Sequence, residues 1–302
     1  VLYEVSHRTH YRYSEPTSIS HHVLHLTPRT SGHQRCHRSV LEVTPTPASS
    51  VDEIDYFGNP VTHLAVQESH TELTFHSQSL VEVSTTDPPQ PGATLPWERA
   101  VELLAADRST QGLAILEFTF ASPYARAHGD LTSYAAPSFA PSRPLLDAAR
   151  DLTRRIHRDF GYEPGATSVS TPVDQVFAQR RGVCQDFAHF QIAAMRRLGL
   201  AVRYVSGYLV TRPRKGAAKL RGADASHAWV SVWLPSYGWL DLDPTNDVVP
   251  GDQHVTVAWG RDYGDVSPIM GVILGGGDHR IDVAVHVEPT TGMTSLPTTQ
   301  SD

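Results

Sequence analysis

Along the first 86 residues apolar and polar side chains alternate. The alternation holds over residues 3–13, 22–27, 39–43, 60–66 and 72–83, and turn signals such as Phe57-Gly58-Asn59-Pro60 break it. A period of two is that of a strand with one buried face, and short strands at this spacing build a sandwich or a barrel. The pattern predicts an all-β, sandwich-like domain over residues 1–88. Residues 87–96, rich in Pro and Gly, read as a linker, 97–107 as a short helix and 108–141 as mostly irregular. The period then becomes helical. Leu145, Ala148, Ala149, Leu152 and Ile156 line one face of a helix over 144–160, with Ser142 placed to cap it. A second helix starts at Thr171, with Pro172 at its first position and Asp174 three residues on, and runs to about Arg181, where Gly182 ends it. A third, over 184–198, follows at once and stops at Gly199. Strands are expected over 200–210, 225–234, 238–243, 254–258 and 280–288, with 281–288 returning to the N-terminal domain. A basic loop is expected over 212–222, and the last dozen residues should fray. The chain is thus α+β in three parts: a β domain over 1–88, a core over 89–250 whose first portion, 89–140, is linker and helical lead-in, and C-terminal strands and tail over 251–302.

The hairpin over 226–243 is the most informative pattern. In its first strand the even positions are Ala228, Val230, Val232 and Leu234, and the odd ones are His227, Trp229, Ser231 and Trp233. In the second, Leu240 and Leu242 alternate with Trp239, Asp241 and Asp243. Residues opposite one another in an antiparallel pair share a face, so burial of the apolar set forces even to pair with even. The loop must then hold an odd number of residues. His227 and Asp243 fall on one face, directly opposite or diagonal, within about 5–8 Å at Cβ. Asp241 shares that face and is the second candidate partner.

Composition narrows the class. Charged residues are 19% of the 302, and the formal net charge is −7. That balance excludes a disordered polyampholyte and supplies no basic surface for a nucleic acid. No apolar run approaches the ~18 residues of a membrane span, and the N-terminus lacks the apolar stretch of a secretory signal. A cytoplasmic location is the expectation. The two cysteines, Cys36 and Cys184, build neither a disulfide framework nor a four-Cys zinc site. The 17 His residues contain no HExxH frame, so neither a metal nor another cofactor is expected.

Cys184 falls in the first turn of its predicted helix. Unpaired N–H groups and the positive end of the dipole favour a thiolate there. A carboxylate that fixes the tautomer of a His, beside a thiol that the His can deprotonate, is the layout of nucleophilic catalysis. Among the neighbours, Asp186 is placed to complement the dipole and hold a loop. His189 and Gln185 read as hydrogen-bonding residues, Tyr162 as a packed or cleft-lining ring, and Gly275–Gly277 as a plain loop. Cys36 has no assigned role.

These residues resemble a known family. Gly182-Val-Cys184-Gln-Asp-Phe-Ala-His, the run from Arg197 to Tyr208, Ser226-His-Ala-Trp229 and Gly238-Trp-Leu-Asp-Leu-Asp243-Pro-Thr-Asn246 are similar to the core of bacterial transglutaminase-like proteins. Those proteins are often described as candidate cysteine proteases. The opening residues 3–29 look like that family's N-terminal β domain, so the resemblance spans nearly the whole chain. It implies a papain-like transglutaminase core in which the Cys helix packs on an antiparallel sheet. It also implies a triad of Cys184 as nucleophile, His227 as base and Asp243, in preference to Asp241, as orienting acid. The implied activity is thiol-dependent cleavage of an amide or isopeptide bond through a thioester. Acyl transfer to an amine and a non-catalytic binding protein are the alternatives. The expected partner is a peptide, protein or small amide substrate, with neither nucleic acid nor membrane.

Overall fold

The computed structural model describes residues 1–85, 87–126, 129–212, 215–216, 220–221 and 225–291. Five strands open the chain: β1 (Leu2–Leu24), β2 (Gln34–Thr44), β3 (Ser49–Ile54), β4 (Pro60–Val66) and β5 (His70–Val83). Helices follow: α1 (Trp97–Ala106), α2 (Thr110–Leu116), a 3-10 turn (Glu117–Thr119), α3 (Thr132–Ala135) and α4 (Leu145–Asp159). Two short parallel strands, β6 (Gly161–Tyr162) and β7 (Arg181–Gly182), flank α5 (Val173–Gln179). Then come α6 (Cys184–Arg196), β8 (Val202–Leu209), β9 (Ser226–Leu234), β10 (Gly238–Leu242), β11 (His254–Gly260), α7 (Tyr263–Val266), β12 (Ile269–Gly275) and β13 (His279–Pro289).

β1 organises the N-terminal sheet. Its first half pairs with β5 on one side and β13 on the other, its second half with β4 and β12. Tyr13, Leu24, Leu64, Val66, Leu73 and Phe75, drawn from both halves, share one buried cluster. The sheet therefore folds over on itself as a sandwich-like layer. The return strand expected over 281–288 is β13, which runs antiparallel to β1 from Tyr3 opposite Pro289 to Tyr13 opposite His279. The segment 251–302 thus supplies β11 to the core sheet and β12 and β13 to the N-terminal one. β3, exposed along its whole length, and β12 carry no alternation of burial and were invisible to the pattern.

The core sheet has the order β10-β9-β8-β11, all antiparallel. Ala228, Val230 and Val232 of β9 pack with Phe187, Phe190 and Ala194 of α6 in the main core. Burial of this apolar face is the dominant favourable term in holding helix to sheet. Residues 108–141 are mostly irregular, as expected, and the helical pieces among the described residues, α2, the 3-10 turn and α3, bury Gly112, Ile115, Phe118 and Tyr134. Two local expectations need correction. Ser142 does not cap α4: its φ is 62°, its N–H goes to Glu98 Oε1 (2.9 Å), and Pro144 occupies the cap position. α5 ends at Gln179, before Gly182, because Arg180 turns left-handed (φ 53°).

Polar contacts lock the two sheets together. His7 Nδ1 bonds Tyr208 Oη at 2.8 Å, and the Gln34 amide bonds both the N–H (2.8 Å) and the carbonyl (2.6 Å) of Thr256. The Arg29 guanidinium lies 3.1 Å from the centre of the Trp259 ring, and Arg203 stacks on the Trp259 and Trp239 rings at 3.6 and 4.4 Å. Cation–π contacts gain strength when desolvated in this way.

Candidate active site

Cys184 is the first residue of α6 and is half-buried. The helix start is built by Asp186, whose Oδ2 folds back to accept the Val183 N–H at 2.7 Å and the Thr167 hydroxyl at 2.6 Å. It therefore does complement the helix start and hold a loop. Burial pushes the Asp186 carboxyl up, against these two hydrogen bonds. A Cβ on Gly182 would stand 2.5 Å from that oxygen, so the fold-back requires glycine.

The hairpin has the predicted parity. Trp239 pairs with Trp233, Leu240 with Val232 and Asp241 with Ser231, around the three-residue loop 235–237. His227 stands opposite Gly207 of β8, where a Cβ would fall 2.4 Å from the Trp229 ring and 2.2 Å from the Val255 carbonyl. Glycine there lets the fully buried Trp229 indole lie across β8. The indole N–H donates to Asp241 Oδ2 at 2.8 Å, which commits the second candidate acid to the indole.

Asp243 lies one residue beyond β10, its N–H tied to the Val248 carbonyl at 2.9 Å. His227 Nε2 donates to Asp243 Oδ2 at 2.9 Å, and both side chains are wholly inaccessible to solvent. Asn246 Nδ2 (2.8 Å) and His254 Nε2 (3.3 Å) also donate to Oδ2, and the N–H groups of Thr245 (2.8 Å) and Asn246 (3.3 Å) to Oδ1. Burial opposes both charges, but mutual attraction wins. Against desolvation, Asp243 and Cys184 push the His227 imidazolium up to about 10. The two imidazoles hold the Asp243 carboxyl well below the usual range. His227 Nδ1, turned away from the acid, is buried with no other hydrogen-bond partner among the described residues, and Cys184 is within interaction range of the ring. The structure thus brings Cys184, His227 and Asp243 together.

Sequence reasoning missed His254 and Asn246. Asn246 carried a signal, since Asp243-Pro-Thr-Asn is the pattern of a turn whose first side chain accepts backbone N–H groups. His254 carried little, because the face it occupies depends on which strand β11 joins, and a bulge between Thr256 and Ala258 shifts that register. His227, Asp243 and His254 place three ligand-type atoms within 4.8 Å of one another. A metal would have to replace the hydrogen bonds that both imidazoles make to Oδ2.

The neighbours sort as follows. Tyr162 is half-buried and within electrostatic reach of Cys184, with burial raising its phenol. His189 accepts the Tyr263 N–H at 3.1 Å, and burial lowers it to about 3, so it stays neutral in a packing role. Gln185 Nε2 donates to the Val169 carbonyl at 3.1 Å. Cys36, on β2, donates to the Arg38 carbonyl at 3.5 Å, and burial raises its thiol. In the basic stretch Arg212 pairs with Glu288 at 3.2 Å, while residues 213–214, 217–219 and 222 lie outside the described residues. No helix among the described residues is long and apolar enough to cross a membrane.

A thiol-bearing helix packed on an antiparallel sheet with a buried imidazole–carboxylate pair, joined to an N-terminal β layer, defines a transglutaminase-like core with an accessory β domain. Residues 3–82 match the bacterial transglutaminase-like N-terminal region, and residues 132–244 match the transglutaminase-like superfamily. An uncharacterized protein of Mycobacterium tuberculosis is 43% identical over 301 residues, covering 96% of this chain and 93% of that protein. A protein-glutamine gamma-glutamyltransferase of Pseudomonas aeruginosa is 31% identical over 158 residues, 51% of this chain and 23% of that enzyme. The crystal structure of a candidate cysteine protease from Cytophaga hutchinsonii superposes with a TM-score of 0.76 at 21% identity, over 99% of this chain and 94% of that one. The chain belongs to the transglutaminase-like superfamily, among the members that carry the bacterial N-terminal region.

Proposed function

We propose that the protein cleaves an amide or isopeptide bond of a peptide, protein or small amide substrate through a Cys184–His227–Asp243 triad. The observation that carries this reading is the buried 2.9 Å His227–Asp243 pair, whose free Nδ1 is left to face the thiol at the start of α6. In the proposed reaction His227 holds both ring protons and pairs through Nδ1–H with the Cys184 thiolate, which adds to the substrate carbonyl. Backbone N–H groups at the start of α6 take part of the developing negative charge. The C–N bond breaks as His227 passes the Nδ1 proton to the leaving amine, and a thioester remains. Water, deprotonated by His227, then releases the acid and restores the thiolate. Asp243 holds the imidazole with Nε2–H towards itself, leaving Nδ1 to move the proton. A reducing cytoplasmic setting, in which both thiols stay free, fits this chemistry.

Acyl transfer to an amine is the second reading, favoured by the identity with the Pseudomonas aeruginosa transferase. The same thioester would serve it, with an amine in place of water. Screening against peptides, isopeptides and acyl amides, with ammonia release and amine incorporation measured together, separates the two. Cys184→Ala is expected to abolish turnover, and full activity in that variant overturns both.

A further inference from the structure

We propose that His254 is a positioning residue for Asp243, donating Nε2–H to Oδ2 and fixing the carboxylate relative to the core sheet. The inference rests on the triad reading above. Asp243 sits in the loop after β10, and three of its donors, the Thr245 N–H and the Asn246 N–H and Nδ2, belong to that same loop. Such donors travel with the loop and orient the carboxylate only with respect to it. His254 comes from β11, at the opposite edge of the sheet from β10. Among the described residues it is the one donor, apart from the base itself, that reaches Asp243 from outside the loop.

The imidazole is well held for this task. It is 5% exposed and stands edge-on to Trp229, with centroids 5.2 Å apart and planes at 82°. Trp229 is in turn held by Asp241. The His254 ring thus rests against an indole that is itself bonded to Asp241, while Asp243 is bonded to the base. His254 also lines a cavity of about 350 Å³ between the N-terminal sheet and the core, together with His33, Asp87, Tyr237, Trp239 and Asp241.

The test needs no substrate: the rate of Cys184 alkylation by iodoacetamide at pH 6, mapped by mass spectrometry with Cys36 as internal reference. His254→Phe keeps the ring and removes the donor, and is expected to slow alkylation on the order of 10- to 100-fold. His254→Gln retains an N–H donor and should stay within a few-fold of wild type. His254→Ala should be slow and should recover as imidazole is added, because the cavity gives the added imidazole, an N–H donor at this pH, a route to the vacated place. Circular dichroism and Tm are followed for each variant. A folded Phe variant that alkylates like wild type overturns the proposal, as does failure of both Gln and imidazole to restore a slow rate. Loss of wild-type reactivity on adding a chelator also overturns it, assigning the three side chains to a metal. Wild-type Cys184 no more reactive than Cys36 overturns the triad reading and this inference with it, whereas a reactive wild type with indifferent His254 variants overturns this inference alone.

Discussion

On the N-terminal sheet His37 Nε2 stands 2.9 Å from Glu82 Oε2, and in the core His227 Nε2 stands 2.9 Å from Asp243 Oδ2. The distances agree, yet the surroundings do not. The side chains of the first pair are 30% and 56% exposed, and those of the second are 0% and 0%. The sheet carries looser relatives of the first pair, His10–Glu72 at 3.9 Å and His76–Glu42 at 3.6 Å. Water screens such pairs to within about 0–1 kcal/mol. In the core the low local dielectric strengthens the attraction, and removing one partner strands the other. Proximity alone therefore does not mark a working imidazole. What sets the core pair apart is its burial, the full set of donors on the acid and the Cys184 thiol within interaction range.

The largest expected break in this comparison comes from the base. His227→Ala should lower turnover by about 10³-fold or more, with the protein still folded. His37→Ala run in parallel should leave turnover unchanged. Equal losses in the two variants would mean that burial is not what distinguishes the pairs.

Removing the acid comes next. Asp243→Asn keeps the shape but no longer selects the tautomer with Nε2–H, and turnover should fall by about 10²- to 10⁴-fold. Asp243→Ala leaves His227 without its buried partner and should cost about 3–5 kcal/mol in denaturant unfolding. An Asp241→Asn variant should keep most of its activity, because Asp241 serves the Trp229 indole. If Asp241→Asn proves the more damaging, the orienting role belongs to the other acid.

How much of this could be read beforehand follows from what one chain can say about itself. Alternation in a hairpin is local, so the shared face of His227 and Asp243 and the odd loop were legible from burial alone. The thiol at a helix start was equally local. Alternation alone left Asp243 and Asp241 both open and only the family resemblance preferred Asp243, because what occupies Asp241 is the Trp229 indole, whose path across β8 depends on Gly207 in another strand. His254 is further still from legibility, since only the pairing of β11 with β8 brings it to Asp243. The same distinction holds for the fold. Strands with one buried face announced themselves, whereas β3 and β12, at exposed margins, did not.

Acid and alkali should act on different parts of the molecule. The fold raises His227 to about 10, so its contribution to stability is complete below the unfolded value of ~6.5 and is lost as pH rises through about 10. Asp243, held low, contributes above the unfolded value of ~3.9 and loses that contribution only as pH falls through its folded value. Burial lowers His7 and His22 to about 4 and His189 to about 3. The unfolded chain therefore takes up protons that these native side chains refuse, and stability drops as pH falls from ~6.5 towards 4. Tm measured from pH 4 to 9.5 should pass through a maximum. His227→Gln should flatten the alkaline limb and leave the acid limb in place. An alkaline limb unchanged in that variant would remove His227 as its source.

The smallest expected effect is the sharpest control. His37 donates to Glu82 across an exposed stretch of β2 and β5, where both side chains retain much of their hydration. Holding two solvated side chains in one geometry costs rotamer entropy that nearly offsets the screened attraction. His37→Ala and Glu82→Gln, singly and together, should shift Tm by no more than about 1–2 °C, with the double variant matching the sum of the singles. The corresponding cycle on His227 and Asp243 should be strongly non-additive, because each single change already strands a buried charge. A coupling at His37–Glu82 as large as that in the core would show that the N-terminal pair is shielded from water in a way its exposure does not reveal.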